Sequence, residues 1–430
     1  MMNPVSRGLQ TQTAVAAVAL ALVGLPGQAF AEDVVLRALM EDVPETTIVE
    51  KMLPEFTEQT GIEVEFQKIG YPDMHDKLVP QLVSSNSYYN LLAVDFLWAG
   101  SFPAAGWLTD LTPYIEASGF DMEPFIPSMV DLLNPYDDGL YVLPKYNYSM
   151  GLLYRTDLME DPALRAAYTA QTGKDLAPPA TLADYVALSK FMKAEAGIAG
   201  AAMQAQRGDP NSMEFSNYLF SAGGAYLDNG TVVLDSPEAR TALSLYIDNI
   251  KNGAQQGALS ATLDDTMRLM CAGDAFSMVS YWWMLAQIDD PEACPAVAGK
   301  VGIAVMPGGH GESGGWGWGI PKNVSDAEKE AAWQFITWIQ GKEASIARAL
   351  DGHAPVRSDV FADPAVVAKY PYYDIAAQVV ASGKAFPVFT YSAQYQNILG
   401  TQLSLAATGE TSVDDAITTA AEGLEKLMAR

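Results

Sequence analysis

From residue 34 onward the chain alternates short apolar runs with longer segments of helical periodicity, a pattern that restricts it to the α/β class. Residues 34–39 read as a first strand. Residues 46–60 read as a helix, with Ile48, Met52 and Phe56 four apart on one face, a kink expected at Pro54 and a stop at Gly61. Ile62, Val64 and Phe66 then alternate with polar residues at strand spacing. Residues 91–94 are an unbroken apolar run, read as a buried strand, ending in Asp95 with Trp98 three positions on. Later helices announce their starts. Ser236-Pro237 precedes a helix that Gly253 stops, Ser325-x-x-Glu328 is a capping box, and a last helix follows Ser412.

No Pro/Ser linker divides the chain into consecutive domains. Residues 140–148 and 301–306 are apolar, near-extended and bounded by Gly or Pro, so they are expected to cross between two discontinuous lobes. The expected division is 32–144 plus about 307–345 for the first lobe, and about 145–306 plus 346–430 for the second. Residues 1–31 read as a cleavable leader. Arg7 is its basic start, 14–25 its apolar stretch and Ala29-Phe30-Ala31 its cleavage site, with no Cys there for lipid attachment. The product is then exported, with the periplasm as the expected compartment. Cys271 and Cys294, the two cysteines of the chain, are expected to form a disulfide in such a compartment.

A net charge of −27, from 52 acidic and 25 basic residues, opposes binding to phosphate backbones or anionic lipid. The three histidines, His75, His310 and His353, lack metal-ligand spacing, and neither CxxC nor HExxH occurs. No metal, cofactor or catalytic group is therefore expected. Gly309-x-Gly311-x-x-Gly314 has dinucleotide-fingerprint spacing, but the helix that should open there is replaced by Gly315-Trp316-Gly317-Trp318-Gly319, a poor helix former that reads as a turn feeding a short strand. Asp264-Asp265 and Asp289-Asp290 read as solvated turns or helix caps.

What remains is a set of carboxylates and aromatics at strand ends. Asp95 and Trp98 leave the same strand end, where open α/β sheets place their ligands. A carboxylate accepts hydrogen bonds from hydroxyls, and an indole face packs on the C–H face of a sugar. Their structural alternatives are a helix cap for Asp95 and a core position for Trp98. Tyr146 and Tyr148 end the first expected crossing, Tyr281-Trp282-Trp283 follows a strand-like 275–279, Trp316 and Trp318 sit in the Gly-rich turn, and Tyr391 and Tyr395 lie in a late Pro-flanked stretch. Lys145 and Arg155 are candidates to meet an anionic solute, with Arg155 read first as a structural pair with Asp157.

The order of motifs resembles the extracellular solute-binding proteins of family 1, the carbohydrate-binding subunits of ABC importers that include the maltose-binding protein. The resemblance rests on Pro54-Glu55-Phe56 with Thr60-Gly61-Ile62-Glu63-Val64, Val94-Asp95-x-x-Trp98, Ala104-Ala105-Gly106-Trp107-Leu108-x-x-Leu111, and Leu140-Tyr141-x-Leu143-Pro144. It continues with Leu152-x-Tyr154-Arg155-x-Asp157-Leu158, Ala222-Gly223-Gly224, Leu234-Asp235-Ser236-Pro237-Glu238-Ala239, and Gly299-Lys300-Val301-Gly302-Ile303 before Met306-Pro307-Gly308-Gly309. Gly314-Gly315-Trp316 and Gly352-x-x-Pro355-x-Arg357 complete it.

The resemblance implies a two-lobed, type II periplasmic-binding fold that closes on a sugar or polyol and delivers it to ABC permease subunits, acting as a monomer without catalysis. Ligand contacts are then expected at Asp95 and Trp98, at Trp282 or Trp283, at Trp316, and at Glu41 and Asp42 after the first strand. Leu39-Met40-Glu41-Asp42 lacks the aromatic usual there, so a smaller or acyclic polyol is the expected fit. The competing readings are an exported carbohydrate-active enzyme and a binder of peptides or organic acids.

Overall fold

Burial on both faces explains why the apolar runs become central strands. The computed structural model describes residues 34–430, and the expected leader at 1–31 lies outside them. Strands β1 (Val35–Glu41), β2 (Glu63–Ile69), β3 (Leu91–Asp95) and β4 (Val142–Asn147) form one sheet with the strand Gly315–Gly319, in the order β2, β1, β3, Gly315–Gly319, β4. β1 runs parallel to β2 and β3, and Gly315–Gly319 runs antiparallel between β3 and β4. β3 and β4 are buried throughout, whereas β2, at the edge, is half exposed. A second sheet has β5 (Met150–Arg155) at its centre, with Ser277–Tyr281 and Val301–Ala304 antiparallel on either side.

The expected crossings resolve differently from the sequence reading. Residues 140–148 contain β4, which belongs to the first sheet, and residues 301–306 contain a strand of the second. The chain changes sheets at Tyr148-Ser149 and again between Ala304 and Gly315. Both connections meet: the Tyr148 N–H donates to the Gly314 carbonyl at 3.0 Å, and the Ser149 and Ser313 hydroxyls lie 2.8 Å apart. A Cβ on Gly314 would fall 2.2 Å from the Tyr148 ring, so a glycine is needed where the two connections pass. The Gly-rich segment thus feeds a buried strand, as the sequence predicts.

The helix expected over 46–60 is two helices, Pro44–Glu50 and Leu53–Thr60. Pro54 has no N–H to donate to the carbonyl four residues back, so the chain restarts the helix with Pro54 in its first turn, and Gly61 ends it at φ 77°. Ser236, Ser325 with Glu328, and Ser412 cap Pro237–Asn252, Asp326–Ile339 and Val413–Met428 as their spacing predicts. Cys271 and Cys294 are bridged. Arg155 holds Asp157 through two hydrogen bonds of 2.7 and 2.6 Å, a structural pair. The acidic pairs act locally: Asp265 shares a capping box with Thr262, and Asp290 accepts from the Glu292 N–H.

Candidate ligand-binding cleft

The ends of strands from both sheets converge on one cavity of about 200 Å³. From the first sheet come Glu41, the last residue of β1, Asp95, the last of β3, and Tyr146 near the end of β4. The register sets Trp316 opposite both Asp95 and Tyr146. Tyr71, which opens the helix Tyr71–Val83, completes that side. The other side is made by Asp209 and Met213 from the start of Asp209–Ser221, Leu263 from the start of Leu263–Ala272, Tyr281 and Trp283 after the second sheet, and Gln396 from Ser392–Thr408. Tyr148 enters from the connection between the sheets.

The walls are largely aromatic. Trp316 and Tyr146 lie near-parallel at 6.5 Å, Tyr281 and Trp283 stack at 5.7 Å, and Tyr148 packs edge-on against Phe96 and Tyr281 at 5.7 and 5.1 Å. Tyr and Trp here offer apolar faces with polar tips. The Nε1–H of Trp283 is buried with no partner among the described residues, while the residue itself lines the cavity.

Six of the expected residues, Glu41, Asp95, Tyr146, Tyr148, Trp283 and Trp316, line this cavity. Four do not. Trp98 ends the turn Phe96–Trp98 one layer back, stacked on Tyr71 at 5.9 Å, so it supports the wall without forming it. Trp282 points the other way from Trp283. Its Nε1 donates to Asn147 Oδ1 at 2.8 Å and its ring is buried against Phe361 and Tyr373, pinning the end of β4. Trp318 lies two residues deeper in its strand than Trp316, against Phe335 in the core. Asp42 turns outward and is exposed beside Lys51 and Asp351, because side chains alternate at the end of β1. Tyr395 is a core residue against Phe386 and Tyr226.

The structure adds Tyr71, Asp209, Met213, Leu263 and Gln396, and brings in Tyr281 from the aromatic cluster that the sequence marks. Asp209-Pro210 carries the same helix-start signal as Ser236-Pro237, which makes Asp209 findable as the end of an element. Nothing in the sequence marks Gln396, whose amide reaches Asp209 across 187 positions at 2.5 Å.

Burial dominates the electrostatics. It pushes the Glu41 carboxyl up to about 7 against the opposing pull of Lys145 and the Tyr146 hydroxyl. Asp209 is pushed up to about 6, opposed by the Gln396 amide. Asp95 rises well above the carboxylate range, although its Oδ1 accepts the Leu97 N–H at 2.8 Å. Asp95 therefore both caps its turn and faces the cavity. The Lys145 ammonium is not in the wall. It is buried 4.5 Å from the Tyr146 ring centre and 5.3 Å from that of Trp318, and desolvation pulls it down to about 8. Behind it Glu45, His353 and Arg348 form a buried cluster, with His353 Nε2 2.9 Å from both Glu45 Oε2 and Arg348 Nη1.

Among the described residues no three His, Cys, Asp or Glu side chains are grouped as a metal would need. A larger groove of about 570 Å³ runs along Ser128, Tyr226, Ser313 and Lys384, but its lining is mostly apolar, with Asp131 and Lys384 as its charged residues. The smaller cavity carries the chemistry.

Residues 41–346 match the family described as bacterial extracellular solute-binding protein. The chain belongs to that family. That description places this chain among exported solute-binding proteins, and a relative from Deinococcus radiodurans, 22% identical over 74% of this chain and 74% of its own length, is described as a probable ABC transporter-binding protein. The maltose-bound MalE3 of T. maritima superposes with a TM-score of 0.81 at 27% identity, over 91% of this chain and 99% of that one. A solute-binding protein of Agrobacterium radiobacter in complex with ribitol gives 0.79 at 25% identity, over 92% and 98%. The erythritol/L-threitol-binding protein of Mycolicibacterium smegmatis is 25% identical over 339 residues, 72% of this chain and 68% of the relative. The α/β, two-lobed architecture expected from the sequence is thus the architecture of its family.

Proposed function

We propose that this protein is a periplasmic, monomeric receptor that captures a small polyhydroxylated solute, a monosaccharide or sugar alcohol, and delivers it to an ABC permease without chemical change. The first lobe in this reading runs through residues 34–147 and again from 315 to about 345, and the second through 150–304 and the remaining chain. The observation that carries the reading is one cavity with carboxylates and aromatic side chains contributed from both sides. A cavity of about 200 Å³ suits a small solute such as a four- to six-carbon polyol or sugar. Glu41, Asp95 and Asp209 accept from hydroxyls, and Tyr146, Tyr148, Tyr281, Trp283 and Trp316 cover C–H faces. Only a closed cleft makes all of these contacts, so the solute favours closure through that difference alone. The relatives that bind ribitol and erythritol or threitol support the size and class.

Titration calorimetry against alditols, monosaccharides, disaccharides, peptides and organic acids tests this. Four- to six-carbon polyols or sugars are expected to bind unaltered, and Asp95→Ala to abolish the response while the protein still folds. Turnover of a glycoside, or binding confined to peptides or organic acids, would replace the reading.

A further inference from the structure

The two sides of the cleft bring carboxylates together with no cation between them. Glu41 has its counter-charge, because Lys145 is buried behind it beneath the Tyr146 ring. Asp95 and Asp209 have only dipoles. Asp95 receives the Leu97 N–H beside the Tyr148 hydroxyl, and Asp209 receives the Gln396 amide at a helix start. The two come from opposite sides of the cavity, and neither is in an ion pair among the described residues. Asp209 lies close enough to raise the proton affinity of Asp95, and both act on Glu312, which is 1% exposed with Oε2 unpartnered. No Lys, Arg or His is among the described residues lining the cavity.

With a neutral polyol bound, Asp95 keeps its proton and the cavity lining holds no counter-charge for Asp209, whereas a cation between the two stabilises both as carboxylates. An ammonium supplies three donors, no acceptor and one positive charge. It is also the ion that the faces of Tyr71, Tyr148, Tyr281 and Trp283 attract. We infer that the solute carries a protonated amine beside its hydroxyls, as in an amino sugar or amino alditol, with the ammonium seated between Asp95 and Asp209. This rests on the reading of the cleft as a polyol or sugar site.

Matched pairs that differ by one ammonium in place of one hydroxyl give the test: serinol and glycerol, glucamine and glucitol, glucosamine and glucose. The ammonium member of the pair that fits is expected to bind at least about ten-fold tighter at neutral pH, with the gap narrowing as salt is added. N-acetylglucosamine, which loses the charge, is expected to bind no better than glucose. In Asp209→Asn, with folding checked by melting, the preference for the ammonium member is expected to fall below about three-fold. Equal or tighter binding of the neutral members overturns the inference and leaves the sugar and polyol reading standing. Absence of binding by all six, with erythritol and ribitol added, overturns both.

Discussion

Single residues in this cleft hold two roles at once. Asp95 is the cap that local sequence predicts and also a wall of the cavity, because one oxygen takes the Leu97 N–H while the side chain still borders the open space. Lys145 was readable as a contact for an anionic solute. Its ammonium is instead buried between Glu41 on the cavity side and Glu45 on the core side, with Tyr146 and Trp318 rings as its nearest walls. Its role in this geometry is to favour the ionised form of Glu41 against the larger effect of burial. Lys145→Met removes the main opposition to the desolvation of Glu41, so the Glu41 carboxyl should climb above its present value of about 7. The midpoint of the pH dependence of solute affinity is expected to move upward in that variant. Calorimetry across neutral to mildly alkaline pH measures it, and Lys145→Arg is expected to restore the original midpoint. A loss of affinity with an unmoved midpoint would make Lys145 a packing residue only.

At the scale of elements, what could be read from the sequence is what is local. The 91–94 run is buried on both faces and has no polar alternation, so its strand character follows from composition alone. Caps at Ser236, Ser325 and Ser412 depend on neighbours three residues away and were equally legible. Strand pairing is not local. Residues 140–148 and 301–306 are extended either way, and only the partners chosen by β4 and by Val301–Ala304 decide that each belongs to a sheet while the crossings fall beside them. Orientation after a strand end is equally non-local: Trp282 and Trp283 are adjacent, and the demand of Asn147 for a buried donor turns one inward and leaves the other for the cavity. The disulfide is the element-scale feature with the clearest energetic consequence. It closes a loop of 23 residues between the Leu263–Ala272 helix and Cys294. Replacing both cysteines by serine is expected to lower stability by about 3 kcal/mol in the chain-entropy account. Urea unfolding of the variant against the oxidised protein measures it, and a change much below 1 kcal/mol would place residual structure in the unfolded loop.

For the whole molecule, the net charge of −27 conceals a buried population of acids whose titration sets how stability responds to pH. Glu41 is raised to about 7, and Asp95, Glu214 and Glu312 are raised further, all by burial. Each keeps its proton in the folded protein at pH values where the unfolded chain has lost it. The folded state therefore binds more protons, and the stability these groups confer, complete below the ordinary carboxylate range, is lost as pH rises through their folded values. Two buried bases act in the opposite sense outside a defined window. His353, pulled down to about 4 from 6.5, matters below pH 6.5, and Lys145, pulled down from 10.5 to about 8, matters above about pH 8. Between pH 6.5 and about 8 the raised carboxylates act without them, so stability is expected to fall with rising pH in that interval. Glu214 is the group on which to test this. It is fully buried in the helix Asp209–Ser221, outside the cavity lining, with the Gln204 backbone N–H as the dipole opposing the rise and no side-chain partner among the described residues. Glu214→Gln keeps the shape and removes the ionisation. One such group contributes at most about 1.4 kcal/mol per pH unit, so the variant should lose less stability than the parent across the window. Urea unfolding at the two ends of the interval gives the comparison, and parallel pH profiles for the two proteins would mean that Glu214 is ionised and compensated in the folded state.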